Sequence, residues 1–375
     1  MTHTHWQDVG PAADFAARAL TEITLGSTKL AISHRKGVFG VISGVCNHVG
    51  GPLGQGRLAG NYVVCPWHNW KFHRVNGVGE PGSEEDAVPS YRVKVKSGRL
   101  LVRTAPATPR RHQPHPPHPL ARPVRRKPGP VRVVGISATA QDPAHPRYST
   151  SEALLDLALA HAREQLRCPV KIIKLAELQF RACEGYYSKS AQACTWPCSI
   201  TLMDAADEMA EEYEAMVHWA DVVLVATPIR WGQAGSLYFK MVERLNCVQN
   251  QITIKDRVLI HQKVAGFIIT GGQDNIQSVA GQLMAFFSEL GFCLPQFPFI
   301  AHSRGWTAED MEQNIAAVQQ SEELRAGARA LVERSVETAR LLLEHPDGPA
   351  KTARGGRKAQ RLEVERAARP RARAG

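Results

Sequence analysis

Apolar and polar positions follow two different rules along this chain. Between residues 20 and 45 they alternate in short runs, around Ile23 and Leu25, over 29–33 and over 38–42; the pattern returns over 91–96, turns at Ser97-Gly98 and continues through 100–102. Period-two alternation broken by glycine turns predicts a small antiparallel β domain. From residue 131 the strands become wholly apolar, over 131–136, 170–175, 222–226, 264–270 and about 296–301. Helical patterns separate them, at about 151–166, 202–219, 236–247, 275–290 and 308–343. Apolar strands alternating with amphipathic helices predict a parallel sheet covered on both faces. Between the two patterns, residues 104–130 hold nine prolines and no acidic residue, a composition that favours an extended linker. The expected organisation is therefore a β domain over 1–103, a linker over 104–130, an α/β domain over 131–345 and a basic tail over 346–375.

Charge follows the same divisions. The chain of 375 residues carries a formal +11. Residues 1–103 contribute +5, 104–130 +6, 131–350 −7 and 351–375 +7. The excess lies in the linker and tail, which reads as a solvated tail and predicts no specific nucleic-acid partner. No apolar run of about 18 residues appears, and the N-terminus lacks a charged-then-apolar signal pattern. Eight cysteines in a chain of this size fit a reducing compartment. The expectation is a cytoplasmic protein without a membrane partner.

The candidate chemistry begins with Cys46-Asn47-His48 and, after sixteen intervening residues, Cys65-Pro66-Trp67-His68. Two thiolates and two imidazoles suit a tetrahedral zinc ion, or a [2Fe–2S] centre with both cysteines on one iron and both histidines on the other. The flanks are Val49-Gly50-Gly51-Pro52-Leu53-Gly54-Gln55-Gly56 and Asn69-Trp70-Lys71-Phe72. With them the stretch resembles Rieske domains, and residues 6–103 fit that family throughout. The resemblance implies that Cys46, His48, Cys65 and His68 bind a [2Fe–2S] cluster. High-potential members add a disulfide between the loops and a Ser and a Tyr bonded to the cluster. Gly50, Trp67, Trp70 and Phe72 occupy those places here, which implies the low-potential ferredoxin and oxygenase type. Asn69 stands where the family usually has glycine.

Five apolar strands suggest a flavodoxin-like doubly wound sheet, with ligand at the carboxyl ends of its strands. Three loops follow strands at that edge. The first begins at Ser137 and ends in Arg147-Tyr148-Ser149-Thr150-Ser151 at a helix start, where hydroxyls and amides can bind phosphate or merely cap the helix. The second is Thr227-Pro228-Ile229-Arg230-Trp231-Gly232, and the third Thr270-Gly271-Gly272-Gln273. No GxGxxG or GxxxxGK[ST] is present. Residues 131–305 resemble the NADPH-dependent FMN reductase and iron–sulfur flavoprotein superfamily, on Thr227, Pro228 and Trp231; Arg230 replaces its usual Tyr and Glu243 its usual Asp. That resemblance implies FMN phosphate at Ser137, Arg147, Ser149, Thr150 and Ser151. It implies the isoalloxazine between the other two loops, NAD(P)H as donor, and a homo-oligomer. Cys183, Cys194 and Cys198 lie where iron–sulfur flavoproteins carry a second cluster on four cysteines, and offer either that or a redox-active thiol site.

Together these features predict an electron-transfer oxidoreductase passing electrons from NAD(P)H through FMN to the Rieske centre or an external acceptor. Two alternatives stand beside it, a quinone-type reductase using the Rieske domain as outlet to a partner and a non-enzymatic redox sensor. A self-contained oxygenase would need two close histidines and a carboxylate. The histidines after residue 131, at 145, 161, 218, 261, 302 and 345, are isolated.

Overall fold

A computed structural model of the chain describes residues 5–112, 118–188, 193–255, 257–271, 275–305 and 307–345. Gly272, Gln273, His115 and the basic tail from 346 lie outside the described residues. The chain divides into two compact units, 1–117 with 185–194, and 118–184 with 195–375.

The first unit is antiparallel. Its strands are β1 (Trp6–Pro11), β2 (Leu20–Leu25), β3 (Thr28–Arg35), β4 (Val38–Ser43), β5 (Arg57–Ala59), β6 (Tyr62–Val64), β7 (Lys71–His73), β8 (Ser90–Lys96) and β9 (Arg99–Pro106), with a short helix α1 (Ala12–Ala16) after β1. Six form one sheet in the order β1-β9-β8-β4-β3-β2, and β5-β6-β7 form a second. The alternation over 29–42 now has a physical meaning. Leu30, Ile32 and Val41 pack with Phe15, Leu100 and Val102. Ala31 and Ile42, paired across β3 and β4, pack with Leu53, Val63, Phe72 and Val88 and with Cys46 and Cys65. Successive residues thus serve opposite faces, and one of the two cores carries the cysteine pair.

The stretch expected as a linker is structured where it leaves this unit. β9 continues through Pro106, the Ala107 amide donates to the Ser90 carbonyl, and Arg111 and Ala87 exchange backbone hydrogen bonds of 2.8 Å each way. Proline at 106 and 109 is compatible with an edge segment that uses only some of its amides.

The second unit is a parallel sheet of β10 (Val133–Ser137), β11 (Val170–Lys174), β12 (Val222–Arg230), β14 (Val264–Gly271) and β15 (Phe299–Ser303), in the order β11-β10-β12-β14-β15. That is the flavodoxin-like order, with the reversal between β10 and β12. A two-residue strand β13 (Gln233–Ala234) folds back on the end of β12. The helices are α2 (Thr150–Glu164), α3 (Ser199–Met203), α4 (Met209–Tyr213), α5 (Ser236–Arg244), α6 (Asn246–Lys255), α7 (Ile276–Leu290), α8 (Ala308–Gln320) and α9 (Glu322–Glu344). Leu154, Leu155, Leu331 and Val332 of α2 and α9 pack with Leu224 and Ile268 of the sheet. Phe287 of α7 meets the adjacent β14 residue, Phe267, at 5.3 Å between rings.

Three helices expected as single are interrupted; one of them, 236–247, breaks at Leu245 between α5 and α6. The stretch 202–219 resolves into the end of α3, then α4, which runs on as a π-helical turn over Glu214–Trp219; between α3 and α4 the Thr201 hydroxyl donates to Asp207 at 2.6 Å. The stretch 308–343 breaks at Ser321, whose side chain caps α9 by accepting from the Leu324 amide. Ser followed by two glutamates is a helix-start signal, and it overrides the continuous amphipathic pattern.

Candidate functional site

The two metal-ligand loops are built alike. The Cys46 amide donates to the Gly51 carbonyl at 2.9 Å, and the Gly50 amide returns to the Cys46 carbonyl at 3.2 Å. In the second loop the Cys65 amide donates to Trp70 at 2.8 Å, and the Asn69 amide to Cys65 at 3.1 Å. Each loop needs a left-handed residue at its fourth position after Cys. Gly50 has φ +81° and Asn69 φ +56°, and asparagine is the non-glycine residue that tolerates this region best. The departure at Asn69 therefore preserves the loop's path. Asn69→Gly should retain the metal centre with unchanged or slightly higher stability. Asn69→Val should cost about 1–2 kcal/mol, measured as a drop in the denaturation midpoint of the loaded protein.

The donor atoms converge. The Cys46 and Cys65 sulfurs lie within hydrogen-bonding reach of each other, with the His48 amide directed at the first and the Trp67 and His68 amides at the second. The shared hydrogen bond raises the Cys46 thiol and lowers that of Cys65. The imidazoles of His48 and His68 are 4.4 Å apart, edge to face, and the Nδ1 atom of each is buried. Burial, with the neighbouring His48, holds the His68 imidazole down to about 4, the neutral form a metal ligand requires. Gly51 admits the close approach of the loops, since a Cβ there would fall 2.7 Å from the Cys65 sulfur. Trp70 stacks on His48 at 5.0 Å and 7°, and Phe72 is buried beneath. Among the described residues, no three His, Cys, Asp or Glu side chains form a single group that could hold a metal ion; the four donors here stand as two pairs. Two sulfurs in one pair and two imidazole nitrogens in another fit a [2Fe–2S] cluster, which takes two ligands on each iron.

Sequence reasoning missed the residues that brace the first loop. Arg110 donates to the Asn47 side-chain oxygen, to Ser43 Oγ at 2.9 Å and to the Val45 carbonyl at 3.0 Å. The Asn47 amide group donates to the Arg111 carbonyl at 2.7 Å and to Asp86 at 3.1 Å, and Asp86 also meets His112 Nδ1 at 3.1 Å. Asn47 is thereby held from three sides, and a guanidinium stands beside Cys46. No local pattern in a proline-rich segment announces such a contact.

In the second unit the three expected loops lie at the carboxyl edge of the sheet, beside the switch point. Ser149 caps α2, accepting from the Glu152 amide. Its hydroxyl meets Thr139 at 2.8 Å and Ser151 at 3.2 Å, and Thr139 meets Ser151 at 3.3 Å, so three hydroxyls gather at a positive helix end. Thr150 reaches the third loop, its hydroxyl 2.6 Å from that of Thr270. Ser137 is turned away, donating to Glu152 at 2.7 Å, which in turn pairs with Lys174 at 2.6 Å. The backbone amide of Arg147 donates to Gln141, and its side chain is exposed. In the second loop, buried Thr227 accepts from the Gly235 amide at 2.9 Å. Ile229 and Arg230 pair with Ala234 and Gln233 around a two-residue turn at Trp231 and Gly232, with φ +51° and +67°, as tight hairpins require. The turn leaves Trp231 88% exposed, while Asn275 fastens it to the third loop by donating to the Gly232 carbonyl at 2.7 Å. Pro228 lies on β12 opposite Thr270. A Cβ at Gly271 would fall 2.8 Å from that of Ile229, so the second and third loops touch. Thr139 and Asn275 were not legible as site residues, because each acts through the fold rather than through a motif.

The three-hydroxyl cradle at the start of α2 fits a phosphate, and with the two adjoining loops it fits the phosphate and ring system of FMN. Thr139→Glu should place a carboxylate against that phosphate and lower FMN affinity by about 100-fold or more, since like charges juxtaposed cost several kcal/mol. Fluorescence titration with FMN reads this directly.

The remaining cysteines behave differently from one another. Cys183 is half-buried, and Cys194 and Cys198 are buried. Cys198 stands at the N-cap of α3 and its sulfur hydrogen-bonds that of Cys247.

A paired-loop centre with two cysteines and two histidines, on one chain with a doubly wound flavodoxin-like sheet, defines a protein of the iron–sulfur and flavin class. Residues 5–92 match the Rieske [2Fe-2S] domain, and residues 131–307 match the NADPH-dependent FMN reductase family. Together the two matches mark an N-terminal Rieske domain and a C-terminal FMN reductase domain, which support a [2Fe–2S] cluster, FMN and NAD(P)H as cofactors. Over 100 residues it is 32% identical to the oxygenase component of 3-ketosteroid-9-alpha-monooxygenase from Rhodococcus rhodochrous, covering 26% of this chain and 25% of that protein. Over 86 residues it is 30% identical to human apoptosis-inducing factor 3, covering 23% of this chain and 14% of that one. The chain spans a quarter or less of the length of these curated relatives. Among solved structures it is similar to RosB with a bound 8-demethyl-8-formylriboflavin-5′-phosphate intermediate, at TM-score 0.48 and 18% identity over 65% of this chain and 91% of that one. No helix among the described residues is long and apolar enough to cross a membrane.

Proposed function

We propose that this electron-transfer oxidoreductase takes reducing equivalents from NAD(P)H at its C-terminal domain and delivers single electrons through its Rieske centre to an acceptor. The observation that carries the reading is the presence, on one chain, of a complete two-cysteine, two-histidine donor set and a phosphate cradle at a flavodoxin-like switch point. When bound, FMN converts a two-electron hydride donor into single-electron transfers, and the [2Fe–2S] cluster carries one electron at a time.

The protein's own residues supply position and environment. Cys46, Cys65, His48 and His68 hold the cluster, and Trp70 and Phe72 supply apolar cover in place of hydroxyl donors, consistent with a low potential. Thr139, Ser149 and Ser151 would hold the FMN phosphate, while Thr227, Pro228, Ile229, Arg230, Trp231, Gly232, Thr270 and Gly271 would flank the ring. Arg230 brings a fixed cation to that edge, suited to an anionic reduced ring or a nicotinamide phosphate. The acceptor is a partner protein or a small oxidant, and we place the protein in the cytoplasm as a homo-oligomer formed through its flavodoxin-like domain.

Anaerobic titration with NADPH, followed by visible absorbance and low-temperature EPR, tests the reading. The expected result is bleaching of the flavin followed by growth of a Rieske-type signal. Flavin bleaching with a cluster that stays oxidised would separate the two centres and overturn the internal path.

A further inference from the structure

A buried polar nest joins α3, α5 and the start of α6. Arg244 is fully buried and forks onto Asp207 at 3.0 and 2.6 Å, with further bonds to the Arg181 carbonyl at 2.8 Å and Thr201 Oγ1 at 3.0 Å. Those bonds use its two terminal nitrogens. Its Nε is buried and has no hydrogen-bond partner among the described groups. Tyr213, also buried, donates to the Arg244 carbonyl at 2.7 Å. Cys247 sits against both, its sulfur 3.4 Å from that carbonyl and 3.8 Å from the Tyr213 hydroxyl. Cys198 completes the nest at the start of α3, its free thiol within hydrogen-bonding reach of that of Cys247 and with the amides of Ile200 and Thr201 directed towards it. The sequence separates these two cysteines by 48 residues, and the fold brings them together.

We propose that Cys198 and Cys247 form a peroxide-reactive thiol pair that closes to a reversible disulfide. Sulfurs already in hydrogen-bond contact need little backbone movement to bond. The chemistry balances with a peroxide as oxidant. Cys198 attacks as thiolate: its S–O bond forms, the O–O bond breaks and hydroxide leaves, taking a proton from solvent to become water. Cys198 is then a sulfenic acid. The Cys247 sulfur attacks it, the S–S bond forms, the S–O bond breaks, and water leaves with the Cys247 proton. One peroxide has become two waters, and two thiols one disulfide. A dithiol restores the pair by exchange.

The surroundings select Cys198 as the attacking sulfur. The Cys247 bond, the Arg244 charge and the two α3 amides together hold its thiol down to about 5 against the cost of burial. Glu212, the nearby carboxyl, is pushed up to about 8 by burial and so adds no negative charge at neutral pH. Asp207 is occupied by the guanidinium. Cys198 keeps 7% of its surface exposed while Cys247 is fully buried, so Cys198 is the sulfur that an incoming peroxide meets first. A thiol with an electropositive neighbour and residual exposure has the surroundings of a reactive cysteine.

The test uses the full-length protein, reduced, freed of reductant and given one equivalent of hydrogen peroxide. Remaining thiols are then alkylated under denaturing conditions and the peptides mapped by mass. The expected product is a Cys198–Cys247 linked peptide, lighter by two hydrogens than the reduced pair, which disappears on treatment with a dithiol. In Cys247→Ser, Cys198 should instead accumulate as a dimedone-trapped sulfenic acid, and in Cys198→Ser, Cys247 should remain alkylatable. The proposal is overturned if both cysteines of the unaltered protein remain free at peroxide doses that oxidise the more exposed Cys183. It is equally overturned if Cys198 is found linked to Cys183 or Cys194.

Discussion

Replacing Cys46 with serine should abolish the iron–sulfur EPR signal and leave FMN bound in its normal stoichiometry. The two halves of this result rest on different parts of the chain. Cys46 is 3% exposed, lies in the core shared by β3, β4 and the small sheet, and hydrogen-bonds Cys65. A serine hydroxyl is a far poorer iron ligand than a thiolate, and the remaining three donors cannot satisfy both irons. The flavin cradle is built from Thr139, Ser149, Ser151 and the loops after β12 and β14, none of which belongs to the first unit. Iron and FMN content of the purified variant, measured side by side, decides the matter. Loss of both cofactors would show that the two sites do not form independently.

Arg110→Gln should lower the reduction potential of the cluster while the cluster itself still assembles. One-electron reduction adds a negative charge, which a neighbouring cation stabilises, so removing the cation disfavours the reduced state and moves the potential down. A unit charge about 7 Å away at an effective dielectric of ~20 contributes about 2 kcal/mol. At 59 mV per 1.4 kcal/mol that is a ceiling of about 90 mV for one electron. Arg110 is exposed, so solvent and salt screen it, and a fall of roughly 20–60 mV is expected, larger at low ionic strength. Arg110→Lys separates the charge from the clamp. It should recover most of the potential while losing the forked contacts to Asn47, Ser43 and Val45. An EPR-monitored redox titration of all three proteins provides the measurement. Equal potentials in the unaltered protein and the Arg110→Gln variant would remove Arg110 from the account.

Both domains and the paired CxH and CxxH loops were legible in the sequence because each depends on local regularity. The alternation over 29–42 and the apolar runs at 131–136, 222–226 and 264–270 encode burial face by face. The CxH and CxxH pairs encode ligand geometry within a few residues. What escaped depends on contacts distant in sequence or on elements too short to carry a period. β5, β6 and β7 have three residues each, and α6 has polar residues on all sides. Arg110 and Asn47 are 63 positions apart. The cradle at α2 was partly visible, since Ser149 and Ser151 stand at an evident helix start. Thr139 completes it only because β10 ends where α2 begins, and Ser137 points to Glu152 because Lys174 on the neighbouring strand stabilises that carboxylate.

The way β9 ends has a practical consequence for dissecting the chain. A cut after residue 103 would shorten β9 by Thr104, Ala105 and Pro106. It would also discard the Thr108 hydroxyl that accepts from the Ser90 amide at 3.0 Å, the Arg111 pairing with Ala87 and the guanidinium beside Cys46. Such a fragment would retain every ligand and still present an altered redox centre. A fragment meant to keep the surroundings of the redox centre should therefore run at least through His112, whose Nδ1 meets Asp86 at 3.1 Å.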